Sequence, residues 1–530
     1  MNYVGTWPLV RLALRRDRIS LPLWVLILGG IPSALAGSLT KLYPTVQSRI
    51  DYASGLESNP ATAALYGHAF SPDTIGGLTA MRIGAIGATL TGLMNILLII
   101  RHTRAEEQAG RRELLGAGAV GRQAPLAAAF VIAVIADLLI ALVCTLGLKA
   151  RDQDPTGALA LGLGLALCGL VFAAIAAVVA QLTTSSRSAN GISIALLGGF
   201  FILRGLGDAS GDGGAHWLSW ISPIGWGQQL RPFATERWWV LLVMLAAAVV
   251  LALVAWTLSA RRDMGAGLLA DRPGSATGER MGTFALAWRL QRGSLLGWTF
   301  GFAVVGVVIG SAAKDVGKVV NGSAKVQEAL EKMGGRTALV DAFLAAMIAL
   351  LGLAAAAYAV SSALRLRAEE NDHRIEPLLA GSVTRGGWMA GHLAFAFIGA
   401  AVPLAAAGLT MGLVHGARVG DVGGQAGRIL GAALVQLPAV WVLAGIAVAL
   451  FGLAPRLVAV SWAGVGLALL FGQFGSALDL SQGVRDISPF THLPRLPGGE
   501  FQALPVTVLV VIAIVLAAAG LVGFRRRDVS

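Results

Sequence analysis

The residues best suited to chemistry lie in RAEEQAGRRELLGAGAVGR, residues 104–122, and in its near-copy RAEENDHRIEPLLAGSVTR, residues 367–385. The two align without a gap at an offset of 263, with 11 of 19 positions identical. The side chains that return are acids and bases. Arg104, Glu106, Glu107, Arg111 and Glu113 reappear as Arg367, Glu369, Glu370, Arg374 and Glu376. Glu107 precedes Arg111 by four and Glu370 precedes Arg374 by four, the spacing of ion pairs along one helix face. A short helix of mixed charge is therefore expected over 104–115 and over 367–378. Gly116 and Gly118 break the first, and Pro377 disturbs the last turn of the second. The chemistry is recognition: charges of both signs on a short helix orient a docked soluble partner. A merely solvated loop gives no reason for three glutamates to return in order.

Elsewhere, reactive side chains are sparse. Asp137 lies in the middle of an apolar run, and a carboxylate there is by default a functional candidate. Its structural alternative, a protonated or paired group between helices, is favoured because the equivalent position, 400, is alanine. Arg82 and Arg204 lie near the ends of apolar runs. No G-x-x-x-x-G-K-[ST] phosphate cradle occurs; Val316-Gly317-Lys318-Val319 lacks the upstream glycine and the hydroxyl. H-E-x-x-H and G-x-S-x-G are also absent, and the 7 histidines are scattered, so neither an enzyme nor a metal site is expected. Cys144 and Cys168, the 2 cysteines, sit in apolar runs and suggest no disulfide framework.

The elements that must position these residues are membrane helices. The chain has 530 residues, is 56% hydrophobic and only 13% charged, and has a mean hydropathy of +0.72. No soluble fold of this size buries so much apolar chain, whereas a run of about 20 apolar residues spans a bilayer. Spans are expected near 20–39, 79–100, 125–148, 157–182, 191–207 and 238–258, then near 294–312, 341–363, 388–414, 428–451, 458–478 and 505–524. Arginines gather at 11–18, 101–124, 259–293, 364–387 and 525–527, which places both termini in the cytoplasm by the positive-inside rule. The net charge of +12 mostly reflects this topology, with attraction to anionic lipid, so nucleic-acid binding is not implied.

The repetition extends beyond the charged element. LALRRDRISLPLW at 12–24 matches LAWRLQRGSLLGW at 286–298, with 7 of 13 positions identical. ISP at 221–223 returns at 487–489, and Arg261-Arg262-Asp263 returns as Arg526-Arg527-Asp528. An all-α polytopic membrane protein of two tandem six-helix repeats is expected. The repeats would cover 1–271 and 281–530, joined by a cytoplasmic linker, RPGSATGER, at 272–280. Because the first basic stretch recurs in mid-chain, it is structural and not a cleaved signal peptide. Each repeat would begin with a basic amphipathic helix in the interface plane. Each would carry an outer re-entrant hairpin around Ser222-Pro223 or Ser488-Pro489.

This plan resembles the type-2 ABC exporter permeases, specifically the fused twelve-helix permeases of actinobacterial antibiotic exporters of the tetronasin-resistance type. The resemblance rests on Arg104-Ala105-Glu106-Glu107 with Arg111, Glu113 and Leu115, and on Arg367-Ala368-Glu369-Glu370 with Arg374, Glu376 and Leu378. It implies that these are coupling helices on which two copies of a separate cytoplasmic ATPase dock, each supplying ATP and Mg2+ chemistry that this chain lacks. It further implies export of lipophilic or amphipathic compounds across a bacterial cytoplasmic membrane. The path would be lined by second and fifth spans, here Met94, Asn95, Phe200 and Phe201, with Gln473 and Phe474 opposite. An envelope lipid precursor is a further cargo class. The alternative is a proton-coupled major-facilitator carrier, which shares the two six-helix halves. Its signature, however, needs an aspartate where this chain has Glu106-Glu107-Gln108.

Overall fold

The computed structural model describes residues 3–57, 60–110, 120–209, 217–263, 265–268, 282–316, 335–473 and 481–528. Every regular element among them is helical. The chain divides into two compact units, Met1–Gly274 and Ser275–Ser530; the linker expected at 272–280 lies outside the described residues. Among the described residues, 11 helices are long and apolar enough to cross a membrane, which makes this an all-α, multi-pass membrane protein. The first unit holds six: Ser20–Leu42, Ile75–Gln108, Ala124–Lys149, Pro155–Leu182, Ser186–Ala209 and Trp239–Arg261. The second holds Thr283–Lys314, Ala338–Asn371, Arg385–Val419, Val422–Leu453 and Ala503–Arg526. The span expected over 458–478 is a 3-10 turn, Pro455–Val460, followed by a helix, Ser461–Gln473, that stops where the described residues stop.

The opening helix differs between the units. In the first, Thr6–Arg16 is separated from the span that starts at Ser20. In the second, the matching stretch runs without a break into its span, Thr283–Val316, so the separate interfacial helix expected there is corrected. One residue explains the difference. Pro22 has no N–H for the Arg18 carbonyl and its ring crowds that carbonyl, so it favours a helix start just before it. The aligned residue of the second copy is Leu296, which imposes no such start.

Prolines also distinguish the third and fourth spans. Ala124–Lys149 and Pro155–Leu182 are unbroken, with their prolines in the first turn. In the second unit the third span divides into Arg385–Phe397 and Ala401–Val419, and the fourth into Val422–Leu434 and Leu437–Leu453. Pro403 and Pro438 each fall in the first turn of the new helix, where a missing N–H costs little. At the first break the Trp441 indole donates to the Phe397 carbonyl at 2.9 Å, satisfying a group that the broken ladder exposes.

Close packing holds each unit together. Gly408, Gly412 and Gly416 form one ridge against Ala433, Ala426 and Val422. Gly452 approaches Gly520 so closely that a Cβ there would sit 1.9 Å from a carbonyl oxygen. Lipid tails are as apolar as leucine, so helices in a bilayer associate through such small-residue contacts and polar pairs.

Candidate functional site

Both charged elements begin inside the second span and not as separate helices. In the first unit the helix passes through one π-helical turn at Arg101–Ala105, resumes for Glu106–Gln108 and ends at Gly110, whose φ of 68° suits glycine. In the second, one continuous helix runs from Gly335 to Asn371. His373 then turns the chain with φ 54°, and a five-residue helix follows, Ile375–Leu379, with Pro377 in its first turn. The single helix expected over 367–378 is thus corrected: Arg367–Glu370 end the span. The helical pair Glu370–Arg374 does not form because the helix stops between them; Arg374 meets Asp372 at 3.1 Å and Glu369 at 3.5 Å. Arg111 and Glu113 lie outside the described residues.

The repeated glutamates face inward. Glu107 accepts from Arg104 at 3.0 Å, from both terminal nitrogens of Arg262 at 2.8 and 3.0 Å, and from the Gly265 N–H at 2.7 Å. Glu370 accepts from Arg367 at 2.9 Å and from both terminal nitrogens of Arg527 at 2.7 and 2.9 Å. Each unit therefore has a bidentate arginine–carboxylate clamp, the geometry that matches a planar guanidinium to two oxygens. A third arginine completes it. Arg122 donates to the Arg262 carbonyl, and Arg385 donates to the Arg527 carbonyl at 2.6 Å. Arg104, Glu107, Arg122 and Arg262 correspond to Arg367, Glu370, Arg385 and Arg527 in the two repeats. The clamp ties the end of the second span to the start of the third and the end of the last within its own unit. Arg104, Glu107, Glu369 and Glu370, expected on a docking surface, have side chains buried against their own unit. The Arg-Arg-Asp repeat was the sequence signal for the missing partner.

The surroundings of the clamps differ. Glu106 is held by Arg16 at 2.6 Å, whereas its counterpart Glu369 is held by Arg365 at 3.0 Å. Asp17 pairs with Arg101 at 2.9 Å and His102 at 2.5 Å. Its counterpart Gln291 is neutral and bonds Ser362 and the His392 ring. In the second unit, Asn371, Asp372, His373, Arg374, Glu376 and Pro377 form an exposed tip beyond the clamp.

At the other end of the first unit, Ser222 precedes a short helix, Pro223–Gln229, that packs back on Trp217–Ile221; Ser222 and Pro223 are buried. A buried ion pair at the four-residue spacing of one helix face anchors this hairpin. Arg204 meets Asp208 at 3.0 Å, Asp208 accepts from Ser219 at 2.7 Å, and Arg204 also donates to the Ala64 and Leu65 carbonyls. Nearby, Glu57 accepts from the Ala69 N–H at 2.6 Å; burial pushes its carboxyl up, but the bonds from His68 and Ala69 prevail and hold it below its ordinary value. In the second unit Ser488 is buried and Pro489 half-buried at the start of a 3-10 turn, Pro489–His492. The stretch aligned with Arg204, 467–470, is Leu-Ala-Leu-Leu.

Asp137 is buried inside the first unit. Asn95 donates to it at 2.9 Å, between the second and third spans, and Gly169 leaves room for the pair. Asn95 and Met94 are thereby core residues of the first unit. In the second unit the aligned positions are Tyr358 and Ala400, and the third span breaks at Ala400. Phe200 packs edge-on to Phe172, and Phe201 lies under the Arg204 guanidinium at 4.7 Å. Gln473 ends the last described turn of its helix, and Phe474 lies outside the described residues. Among the described residues no group of three or more histidine, cysteine, aspartate or glutamate side chains could hold a metal ion.

The family model described as "Multidrug efflux system permease Rv1217c, C-terminal domain" matches residues 9–258 and 281–525. The chain is also 45% identical, over 533 aligned positions, to the multidrug efflux system permease protein Rv1217c of Mycobacterium tuberculosis (strain ATCC 25618 / H37Rv). That alignment covers 100% of this chain and 96% of the relative.

Proposed function

This chain belongs to the multidrug efflux system permease family, and we propose that it is the membrane subunit of an ATP-driven exporter of the type-2 ABC class. Two copies of a cytoplasmic ATPase, carrying ATP and Mg2+, bind where the second spans end, with both termini of this chain on the same cytoplasmic side. The cargo is lipophilic or amphipathic, such as an antibiotic, moved out across a bacterial cytoplasmic membrane. The observation that carries this reading is the recurrence of the clamp. A push on the exposed tip at 371–377 reaches Glu370, and through Arg385 and Arg527 it reaches the third and last spans of that unit. Docking and transmission then fall to different residues of one element.

Affinity purification of the tagged chain from its native membrane, with an ATPase assay, tests this. Reversing the tip charges, Asp372→Lys with Arg374→Glu, is expected to lose a co-purifying ATPase. Glu370→Gln is expected to keep that ATPase but uncouple hydrolysis from drug export. A chain that purifies alone and exports in proportion to a proton gradient overturns the proposal. That outcome favours the second reading, a proton-driven carrier, whose supporting observation is Asp137: its Oδ2 is buried without a hydrogen-bond partner.

A further inference from the structure

The opening helix of the first unit is fixed at both ends, and in its middle Val10 and Ala13 are buried against the core. At its start Gly5, with φ 87°, lies against Val120, and the Gly121 N–H donates to the Val4 carbonyl at 2.8 Å. At its end Asp17 is held by Arg101 and His102. Between these anchors an open cleft lies along one side of the contact between this helix and the third span. Leu9, Leu12, Ala13 and Arg16 line one wall, and Pro125, Ala128, Ala129 and Ile132 line the other. Both sets follow the i, i+3, i+4, i+7 pattern of one helix face, so the cleft runs along about 10 Å of each helix. Alanines on both walls make the room. His102, Thr103 and Glu106 complete it, and Arg16 and Glu106 are its charged side chains.

The second unit shows what closes such a cleft. The residues aligned with Ile132 and Arg16 are Phe395 and Leu290. The Phe395 ring stacks on Phe284 at 5.8 Å and lies 6.0 Å from Trp288. Aromatic rings take the space, leucine replaces Arg16, and Glu369, which aligns with Glu106, is held by Arg365 instead. The first unit instead keeps an apolar slot with a basic rim. Arg11, Arg15 and Arg18 are exposed around Arg16, and neither Arg15 nor Arg18 has a charged or hydrogen-bonding partner among the described residues. An amphipathic helix with arginines at its polar face lies at the height of lipid phosphates.

We propose that this cleft binds one anionic phospholipid, with an acyl chain between Leu12 and Ala129 and the phosphate on Arg16, Arg15 and Arg18. The phosphate competes with Glu106 for Arg16. Lipid occupancy therefore bears directly on the charged element at the end of the second span, in the first unit alone.

The test uses the full chain, purified in detergent and stripped of lipid, titrated with dioleoylphosphatidylglycerol or dioleoylphosphatidylcholine and read by native mass spectrometry. One phosphatidylglycerol is expected to be retained in preference to phosphatidylcholine. Arg16→Leu, which installs the second unit's residue, is expected to reduce that preference about five-fold, the scale of one basic side chain at an anionic surface. Ala129→Phe is expected to abolish retention of either lipid by filling the slot; Arg16→Leu leaves the slot's shape intact and keeps the test decisive if Ala129→Phe does not fold. Equal retention of the two lipids, or an unchanged preference in Arg16→Leu, overturns the proposal. So does displacement of phosphatidylglycerol by a neutral lipophilic dye that binds Arg16→Leu as well as the native chain, since that assigns the cleft to cargo. No ATPase takes part, so failure here leaves the exporter reading untouched.

Discussion

In the first unit Glu107 is gripped by arginines whose side chains are 1% and 5% exposed. In the second, Glu370 is gripped by arginines that are 26% and 19% exposed. The ion pairs are the same; what covers them is not. Residues 265–268 lie over the first clamp, with the Ala266 carbonyl accepting from both Arg104 and Arg262. The second is backed by rings, with Arg527 lying 5.0 Å from Phe451 and 5.3 Å from Phe524. A duplicated chain has thus kept its clamp and varied the screening around it. The first clamp is sealed into its unit, and beyond the second lies the exposed tip at 371–377 on which a partner can act; the matching stretch of the first unit, 111–119, lies outside the described residues.

The strongest way to break this comparison is to remove the two glutamates separately. Taking one partner from a buried pair strands the other charge, at a cost of roughly 3–5 kcal/mol. Glu107→Ala is expected to fall at the top of that range and Glu370→Ala at or below its bottom, because water reaches the arginines it leaves. Unfolding of the detergent-solubilised chain in a denaturant series measures both, and equal losses would show that the different covers are energetically irrelevant.

The ends opposite the clamps sharpen it next. Arg204→Leu alone strands Asp208 and is expected to cost about 3 kcal/mol. Arg204→Leu with Asp208→Leu, which makes this end apolar like 467–470, is expected to recover most of the loss, since a buried pair exchanged for packed apolar groups is often neutral. A double variant no more stable than the single one would show that the pair positions the Pro223–Gln229 hairpin through its hydrogen bonds to Ser219, Ala64 and Leu65.

The smallest effect is expected at Asp137. Hydrogen bonds between membrane helices average about 0.6 kcal/mol, so Asp137→Ala should cost about 1 kcal/mol in the same assay and leave drug export within about two-fold of the native chain. Loss of export with stability intact would instead make Asp137 part of the transport chemistry and separate the two units by function.

Much of the fold was legible in the chain itself. Long apolar runs placed the membrane helices, because burial in lipid demands them whatever the tertiary arrangement. The aligned stretches at 104–122 and 367–385 located the clamp's arginines and glutamates without showing which way they face. Spacing by four suggested pairing along one helix, as between Glu370 and Arg374, and that reading failed because the helix ends at Asn371. The true partner, Arg527, is 157 residues away in the chain. Arg204 was visible as a charge near the end of an apolar run, but its acceptors at Ala64 and Leu65 are backbone carbonyls, which carry no residue-type signal.

By itself the sequence determined what is written in composition, period and repetition: helices of bilayer length, a chain built twice, and prolines at 22, 403 and 438 that set where helices begin. Those follow from local backbone sterics and from the cost of leaving polar groups unpaired in lipid. Only the tertiary structure decided that the repeated glutamates turn inward, that an arginine at the end of each unit's last span is their partner, and that a slot stays open beside Arg16 in one unit and closes over Phe395 in the other. Those depend on which surfaces meet across long stretches of chain, and a few ångströms of helix placement decide whether a charge is gripped or exposed.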